Sequence, residues 1–355
     1  NNTLSPVTLD SLTLTNMTRG IGSQTDYDNM FPRVRIYQEN GNGFVDAGDA
    51  IVADDLSFSA GSLVARSLNL AVPVGEIRRL LVTSDIDSFC AADGDTIAVA
   101  ILAASDISLS PLYPMIGTFP TSTPVDLAID GMRAYQLAVY PSIDSLIVTG
   151  GNDSLVFDVG IPANGYAVDT LETLIIRIEG TASSEHIARG ALYAAGGDGV
   201  FNGGAGDDSF IGDMAENPAE PGGRSFIAYG IDVPLTDACG GRKHFYLAAY
   251  IASDYLVAGT IQMSIPAMGI AVRSGNDGPI DGSVTESSII MIPKPDQLTA
   301  FPYPVGDQVI TPGSSNNLKF GVGFYNGYSY PVDLDQLKLY QVGTPSSSEI
   351  DSVYA

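Results

Sequence analysis

Apolar and polar residues alternate along this chain in short runs, and each run ends in a cluster of Gly, Pro, Asn or Asp. Leu9-Asp10-Ser11-Leu12-Thr13-Leu14-Thr15 and Leu155-Val156-Phe157-Asp158-Val159-Gly160-Ile161 are two such runs, and Arg79-Leu80-Leu81-Val82-Thr83 and Thr260-Ile261-Gln262-Met263-Ser264-Ile265 are two more. A period of two puts successive side chains on opposite faces of an extended strand, so each run predicts a strand with one buried face. No long stretch of helical period with caps interrupts them. Strands recurring roughly every ten residues, with turn residues between, predict an all-β chain of tandem Ig-like β-sandwiches.

The pattern also repeats at long range. At a constant offset of 163, Tyr140/Tyr303, Pro141/Pro304, Asp144/Asp307, Ile147/Ile310, Gly150/Gly313, Leu155/Leu318, Phe157/Phe320, Val159/Val322 and Gly160/Gly323 coincide. Thr96-Ile97 answers Thr260-Ile261, and Leu9, Leu12 and Leu14 answer Leu171, Leu174 and Ile176. Similarity at a fixed period signals a tandem array. The units divide as sandwiches over 1–118 and 152–275, connecting segments over 119–151 and 276–314, and a partial repeat over 315–355.

The second unit opens with a strand over 155–161 that the first unit has no residues to supply. The partial repeat carries the matching strand, with Leu318, Phe320, Val322 and Phe324 on one face. A sandwich without its opening strand exposes backbone groups and an apolar groove, which favours strand addition from a neighbour. If that strand fills the first unit of the next copy, the contact is heterologous and builds a filament. Against this stands the duplicated second strand over 334–342, since the acceptor already owns its counterpart over 9–15. A partial domain packed on its own chain is the other outcome.

Composition narrows the partners. Lys and Arg total 16 against 41 Asp and Glu, a formal net charge of −25, which argues against nucleic acid or anionic lipid bound through a basic patch. No apolar run is long enough to span a bilayer as a helix. The absence of a Met start, a charged n-region and an h-region predicts a chain already processed at its N-terminus. The two cysteines, Cys90 and Cys239, are an even count in a secreted-looking chain. They fall at non-equivalent places in the repeat, at opposite ends of their sandwiches, so a bond between them would span a domain or subunit junction. Two separate loop thiols are the alternative.

The most specific local chemistry lies between Tyr37 and Asp49. Oxygen-bearing Gln38, Asn40, Asn42, Asp46 and Asp49 take positions one, three, five, nine and twelve of a calcium loop, with Gly43 at the turn and the Phe44 carbonyl available. Gln38 stands where Asp is usual and Asp49 where a bidentate Glu is usual, which lowers the charge. A Gly/Asn-rich hairpin turn needing no ion is the bland reading. The altered counterpart in the second unit offers Asp198, Asn202, Asp207 and Asp208, with Asp213 nearby, around a single turn of β-roll-like sequence.

The aliphatic-Tyr pair before Asn40-Gly41-Asn42-Gly43-Phe44-Val45-Asp46-Ala47-Gly48-Asp49, the Pro73-Val74-Gly75 turn and Asp95-Thr96 opening a strand together resemble β-sandwich repeats of bacterial and archaeal surface proteins. The resemblance implies an extracellular role, structural, S-layer-like, adhesive or filament-forming, and no catalysis. Enzyme motifs are missing. His186 and His244 are the only histidines, without zinc spacing, and no nucleophile elbow, P-loop or dinucleotide fingerprint occurs. Both histidines read as surface residues.

The sequence therefore predicts a non-enzymatic subunit of an extracellular filament or surface layer, partnered by itself and stiffened by calcium. The alternative is a monomeric, calcium-stabilised adhesin or carbohydrate-binding surface module, for which the 17 Tyr supply stacking groups but Trp is absent.

Overall fold

The computed structural model describes residues 5–122, 127–141, 146–147, 153–203, 206–220, 224–252, 257–294, 297–303, 321–328 and 331–337. The described chain is nearly all β, arranged in several sheets. Its first strands show why. Val7–Asn16 and Asp169–Ile178 carry the same succession of buried and half-buried positions, with two half-buried residues in a row at Asp10-Ser11 and at Glu172-Thr173. Strict alternation would bury one of each pair. A bulge resets it: the register slips between Leu9 and Ser11, and again between Leu171 and Thr173, against both flanking strands.

Around these strands two units are built to one plan. In the first, Ser62–Val72, Val7–Asn16, Val99–Ile101 and Thr121–Ser122 lie side by side, with Ile107–Ser110 also on Val7–Asn16. In the second, Ser225–Leu235, Asp169–Ile178, Met263–Ile265 and Val284–Thr285 take the same order, with Ile270–Val272 on Asp169–Ile178. Each unit has a second sheet. That of the first unit runs Ala50–Leu56, Arg33–Gln38, Leu80–Asp85. That of the second contains the counterparts Ser209–Asp213, Ile187–Ala194 and Arg242–Ile251, and then two more strands, Ser154–Pro162 and Ala138–Tyr140.

The cores sit between these sheets. Leu9, Leu12, Leu14, Val34, Ile36 and Leu63 form the first, closed at one end by Tyr27 of the short helix Gln24–Asn29. Phe157, Val159, Ile161, Leu171, Leu174, Ile176, Phe245 and Leu247 belong to the second. The connecting segment is shared: Leu127–Ala128 pairs with Thr96–Ile97 of the first unit, whereas Met132, Leu137 and Ile147 are buried in the core of the second. No helix among the described residues is long and apolar enough to cross a membrane.

Candidate functional site

The two strands that enlarge the second unit form a hairpin whose pairing sets Ala138 opposite Gly160, Val139 opposite Val159 and Tyr140 opposite Asp158. Its longer strand lies antiparallel on Arg242–Ile251, with Phe157 opposite Leu247, Asp158 opposite Tyr246 and Val159 opposite Phe245. Phe157, Val159 and Ile161 point inward and are fully buried. On the outer face His244 holds both strands of the hairpin. Its Nδ1 lies 3.1 Å from Asp158 Oδ1, and its ring stacks on Tyr140 with centroids 4.5 Å apart. Burial raises the Asp158 carboxyl above its ordinary range, against the opposing pull of His244.

A second hairpin follows the second unit. Leu298–Tyr303 pairs with Gly321–Asn326, setting Pro302 opposite Val322 and Tyr303 opposite Gly321. The offset of 163 carries Val139/Val159 onto Pro302/Val322 and Tyr140/Asp158 onto Tyr303/Gly321, so the two hairpins share one register. Of the four donor-strand positions, Leu318 and Phe320 lie outside the described residues. Val322 is half-buried, and Phe324 is 40% exposed.

The matching edge in the first unit is Leu80–Asp85. It pairs with Arg33–Gln38 on one side, and no described residue pairs with its other side. The consequence is visible in exposure. Tyr37 sits opposite Leu81 as Tyr193 sits opposite Tyr246, which makes Val82 the counterpart of Leu247. Val82 is 41% exposed and Leu247 only 2%.

The two units meet around the segment that follows the first hairpin. Asn164 Oδ1 accepts from Asp93 N at 2.7 Å, and the Tyr166 hydroxyl donates to Asp95, 2.9 Å from each carboxylate oxygen. Gly165 has φ +59°, and a Cβ there would lie 2.4 Å from Ala91 O, so both conformation and space require glycine. Cys239 N donates to Gly165 O, and Cys239 is bonded to Cys90 within the chain, their Cα atoms 4.3 Å apart. Asp95 is 1% exposed. Burial raises its carboxyl and, together with the Asp95 hydrogen bond, raises the Tyr166 phenol. Asn164-Gly165-Tyr166 recurs as Asn326-Gly327-Tyr328 after the second hairpin, a sequence signal that marks the joint.

The loop after Arg33–Gln38 gathers most of its candidate ligands. Asn40 Nδ2 donates to Asp46 Oδ1 at 3.0 Å, Asn42 donates through Nδ2 to Asp46 Oδ2, and the Asp49 carboxylate accepts from Asn40 N and Asp46 N. Asn42 Oδ1 accepts from Phe44 N. Gln38 takes no part in the described hydrogen bonds of the loop. The neighbouring Glu39 does: its buried carboxylate accepts from Gly41 N and Gly43 N, and those bonds, Gly43's first, hold it below the usual range. Asn40, Asn42, Asp46 and Asp49 thus gather in one loop through hydrogen bonds to one another and to its backbone.

In the second unit's loop, Asp207 accepts from Gly197 N and Asp198 N, Asp208 from Gly196 N and Asn202 N, and Asn202 Nδ2 donates to Asp198. These side chains spend their oxygens on the loop's own backbone. Phe201 from this loop lies against Tyr193 and Tyr246, ring centroids 5.3 and 5.5 Å away. Burial, reinforced by Asp158 and Asp208, pushes the Tyr246 phenol up to about 12. Among the described residues no group of three or more His, Cys, Asp or Glu is arranged to hold a metal ion.

The histidines are less exposed than a surface role requires. His186 is 4% exposed, with Nδ1 accepting from Ser183 N at 3.1 Å, and burial lowers its basicity. His244 is half-buried under the hairpin.

No protein-family model matches the chain, and no curated protein matches it by sequence. Among solved structures it is similar to the B domain of a biofilm-associated protein, 8% identical over 82% of this chain and 78% of that one, with a TM-score of 0.27. It is also similar to a chain described as BspA_C_WT, 9% identical over 80% of this chain and 93% of that one, with a TM-score of 0.26. Scores of this size support no step toward function, which must rest on the chain's own edges and loops.

Proposed function

We propose that the chain is a structural, non-enzymatic subunit of an extracellular filament or surface layer. Its two units act as tandem Ig-like sandwiches, and copies join head-to-tail, the second hairpin of one supplying a strand to the first unit of the next. One observation carries the reading. Arg242–Ile251 is paired on both edges, its counterpart Leu80–Asp85 is paired on one among the described residues, and the chain holds a second hairpin in the register of the first. Such contacts are heterologous, so they propagate rather than close. Calcium, held by Asn40, Asn42, Asp46, Asp49 and the Phe44 carbonyl, would stiffen the loop beside this edge by replacing the amide–carboxylate bonds with metal–oxygen ones.

Negative-stain electron microscopy of the purified chain, with and without a chelator, tests both parts. Uniform filaments are the expected result, fewer or more flexible ones in chelator. Discrete two-unit particles under every condition would sink the assembly reading, and filaments indifferent to chelator would remove calcium from it.

A further inference from the structure

The loop that joins Ile187–Ala194 to Ser209–Asp213 in the second unit lies over a buried hydroxyl left without a partner. Tyr246 is 1% exposed, and its hydroxyl is buried with no hydrogen bond among the described residues. A polar atom buried unpaired has lost its hydration for nothing in return, so native proteins give such atoms a partner, a water or an ion. The hydroxyl points under the loop. Phe201 packs on the Tyr246 ring from the loop's side. Burial holds the phenol proton in place, and so, in descending order, do the carboxylates of Asp158, Asp208, Asp198 and Asp207, the last three from this loop.

Those three carboxylates carry charge that no described cation answers. Arg189 pairs with Asp153 and Asp213, His244 with Asp158, and Lys243 Nζ donates to Ala195 O. Asn202 bridges two of the three. Its N–H donates to Asp208 Oδ2 at 2.6 Å and its Nδ2 to Asp198 Oδ2 at 3.1 Å. Asp208 is itself buried, while Asp207 accepts from Gly197 N and Asp198 N and fixes the start of the loop. A carboxylate oxygen that accepts one hydrogen bond keeps a second lone pair for another partner.

We propose that Asp198, Asp208, the Asn202 amide oxygen and the Tyr246 hydroxyl form a calcium site beneath this loop. Every donor is oxygen, which suits a hard cation and not the softer metals that take imidazole or thiolate. Among the described residues no three acidic, His or Cys side chains gather at one point, so the set takes two carboxylates and is completed by water. Asn202 turns its amide on binding, and its oxygen replaces the donor now held by Asp198. The inference concerns the second unit alone. It rests neither on head-to-tail assembly nor on calcium in the first unit's loop.

The test uses the full chain with the first unit's loop silenced by Asp46→Asn and Asp49→Asn. After chelator has been added and removed, calcium is titrated by calorimetry, and uptake of one ion is expected. In that background Asp198→Asn or Asp208→Asn is expected to weaken binding about tenfold or more, and Tyr246→Phe about fivefold. Asp232→Asn, which removes the same charge from the other sheet, is expected to leave it unchanged. Tyr246→Phe keeps the ring and its packing and deletes only the unpaired hydroxyl. In chelator it should therefore melt no lower than the silenced chain, and calcium should raise its melting temperature less. No calcium uptake by the silenced chain would overturn the proposal and leave any calcium in the first unit's loop. Equal affinity and an equal calcium-induced rise in Tyr246→Phe would overturn it too, and assign the hydroxyl a buried water instead.

Discussion

The second sheets of the two units start from the same three strands and finish differently. In the second unit the hairpin covers one edge, and part of the outer face is apolar: Ala191, Tyr193, Tyr246 and Ala248 are buried there under Leu155 and Phe201, beside the His244–Asp158 and Arg189–Asp213 pairs. In the first unit the corresponding face is bound by charge, Arg33 donating to Asp54 and Arg35 to Asp85 through two nitrogens each, with Arg35 also 3.4 Å from Asp54. A sheet whose edge is filled can bury large side chains on both faces. An edge with no partner among the described residues carries charged side chains instead, which oppose indiscriminate strand pairing. Strand order is common to the two sheets, whereas edge pairing among the described residues and the make-up of the outer face differ.

Cavity formation gives the sharpest way to break this comparison. Phe157 is fully buried by the seated hairpin, so Phe157→Ala is expected to cost the second unit about 3–5 kcal/mol in urea unfolding. Val82, on the open edge, is expected to cost under about 0.5 kcal/mol as Val82→Ala in dispersed chains. A loss at Val82 as large as that at Phe157 would mean the edge is already filled without a second copy.

The joint between the units comes next in size. Replacing Cys90 and Cys239 by Ser removes a link across 149 residues and is expected to cost about 2–5 kcal/mol. Since the bond ties one unit to the other, differential scanning calorimetry is expected to resolve two transitions in the variant where the bonded chain shows one. An unchanged single transition would show that the Asn164–Asp93 and Tyr166–Asp95 contacts couple the units unaided.

Much of this was legible in the residues. The alternation over 9–15 and 155–161 marks strands, and the offset of 163 both relates the two hairpins and singles out Val322 and Phe324. The bulges were only half legible: the doublets Asp10-Ser11 and Glu172-Thr173 break the alternation in the sequence, but only the partner strands show the register slipping there. Glu39 was hidden for a different reason: spacing pointed to Gln38 at the loop's first position, whereas the carboxylate that accepts the turn's N–H groups is one residue later. The repeated Asn-Gly-Tyr was in plain view, but its offset is one short of the surrounding repeat. Its chemistry depends on Asp93 and Asp95, far away in sequence. Nor does any periodicity reveal that Phe201, from a loop, roofs the outer face of the second unit.

The smallest effect expected is one of pH, and it separates the joint from the charged face of the first unit by sign. Burial lifts the folded-state value of Asp95 above the ordinary 3.8, with Asp93 and Asp26 adding and the Tyr166 hydrogen bond opposing. The folded joint therefore binds a proton more readily than the unfolded chain. Its cost of holding a buried charge is fully present at neutral pH and fades as pH falls through the raised value. Asp54 and Asp85 behave oppositely. Hydrogen bonds from Arg33 and Arg35 lower them, so their stabilisation is present above 3.8 and is lost as pH falls through the lowered values. Melting curves between about pH 4 and pH 8 should then show Asp95→Asn gaining most on the parent chain at the alkaline end, with the difference shrinking on acidification. Asp85→Asn should show a deficit at neutral pH that narrows only at the acid extreme. A pH-independent difference for Asp95→Asn would mean that the carboxylate stays charged in the joint throughout, held by Tyr166 against the penalty of burial.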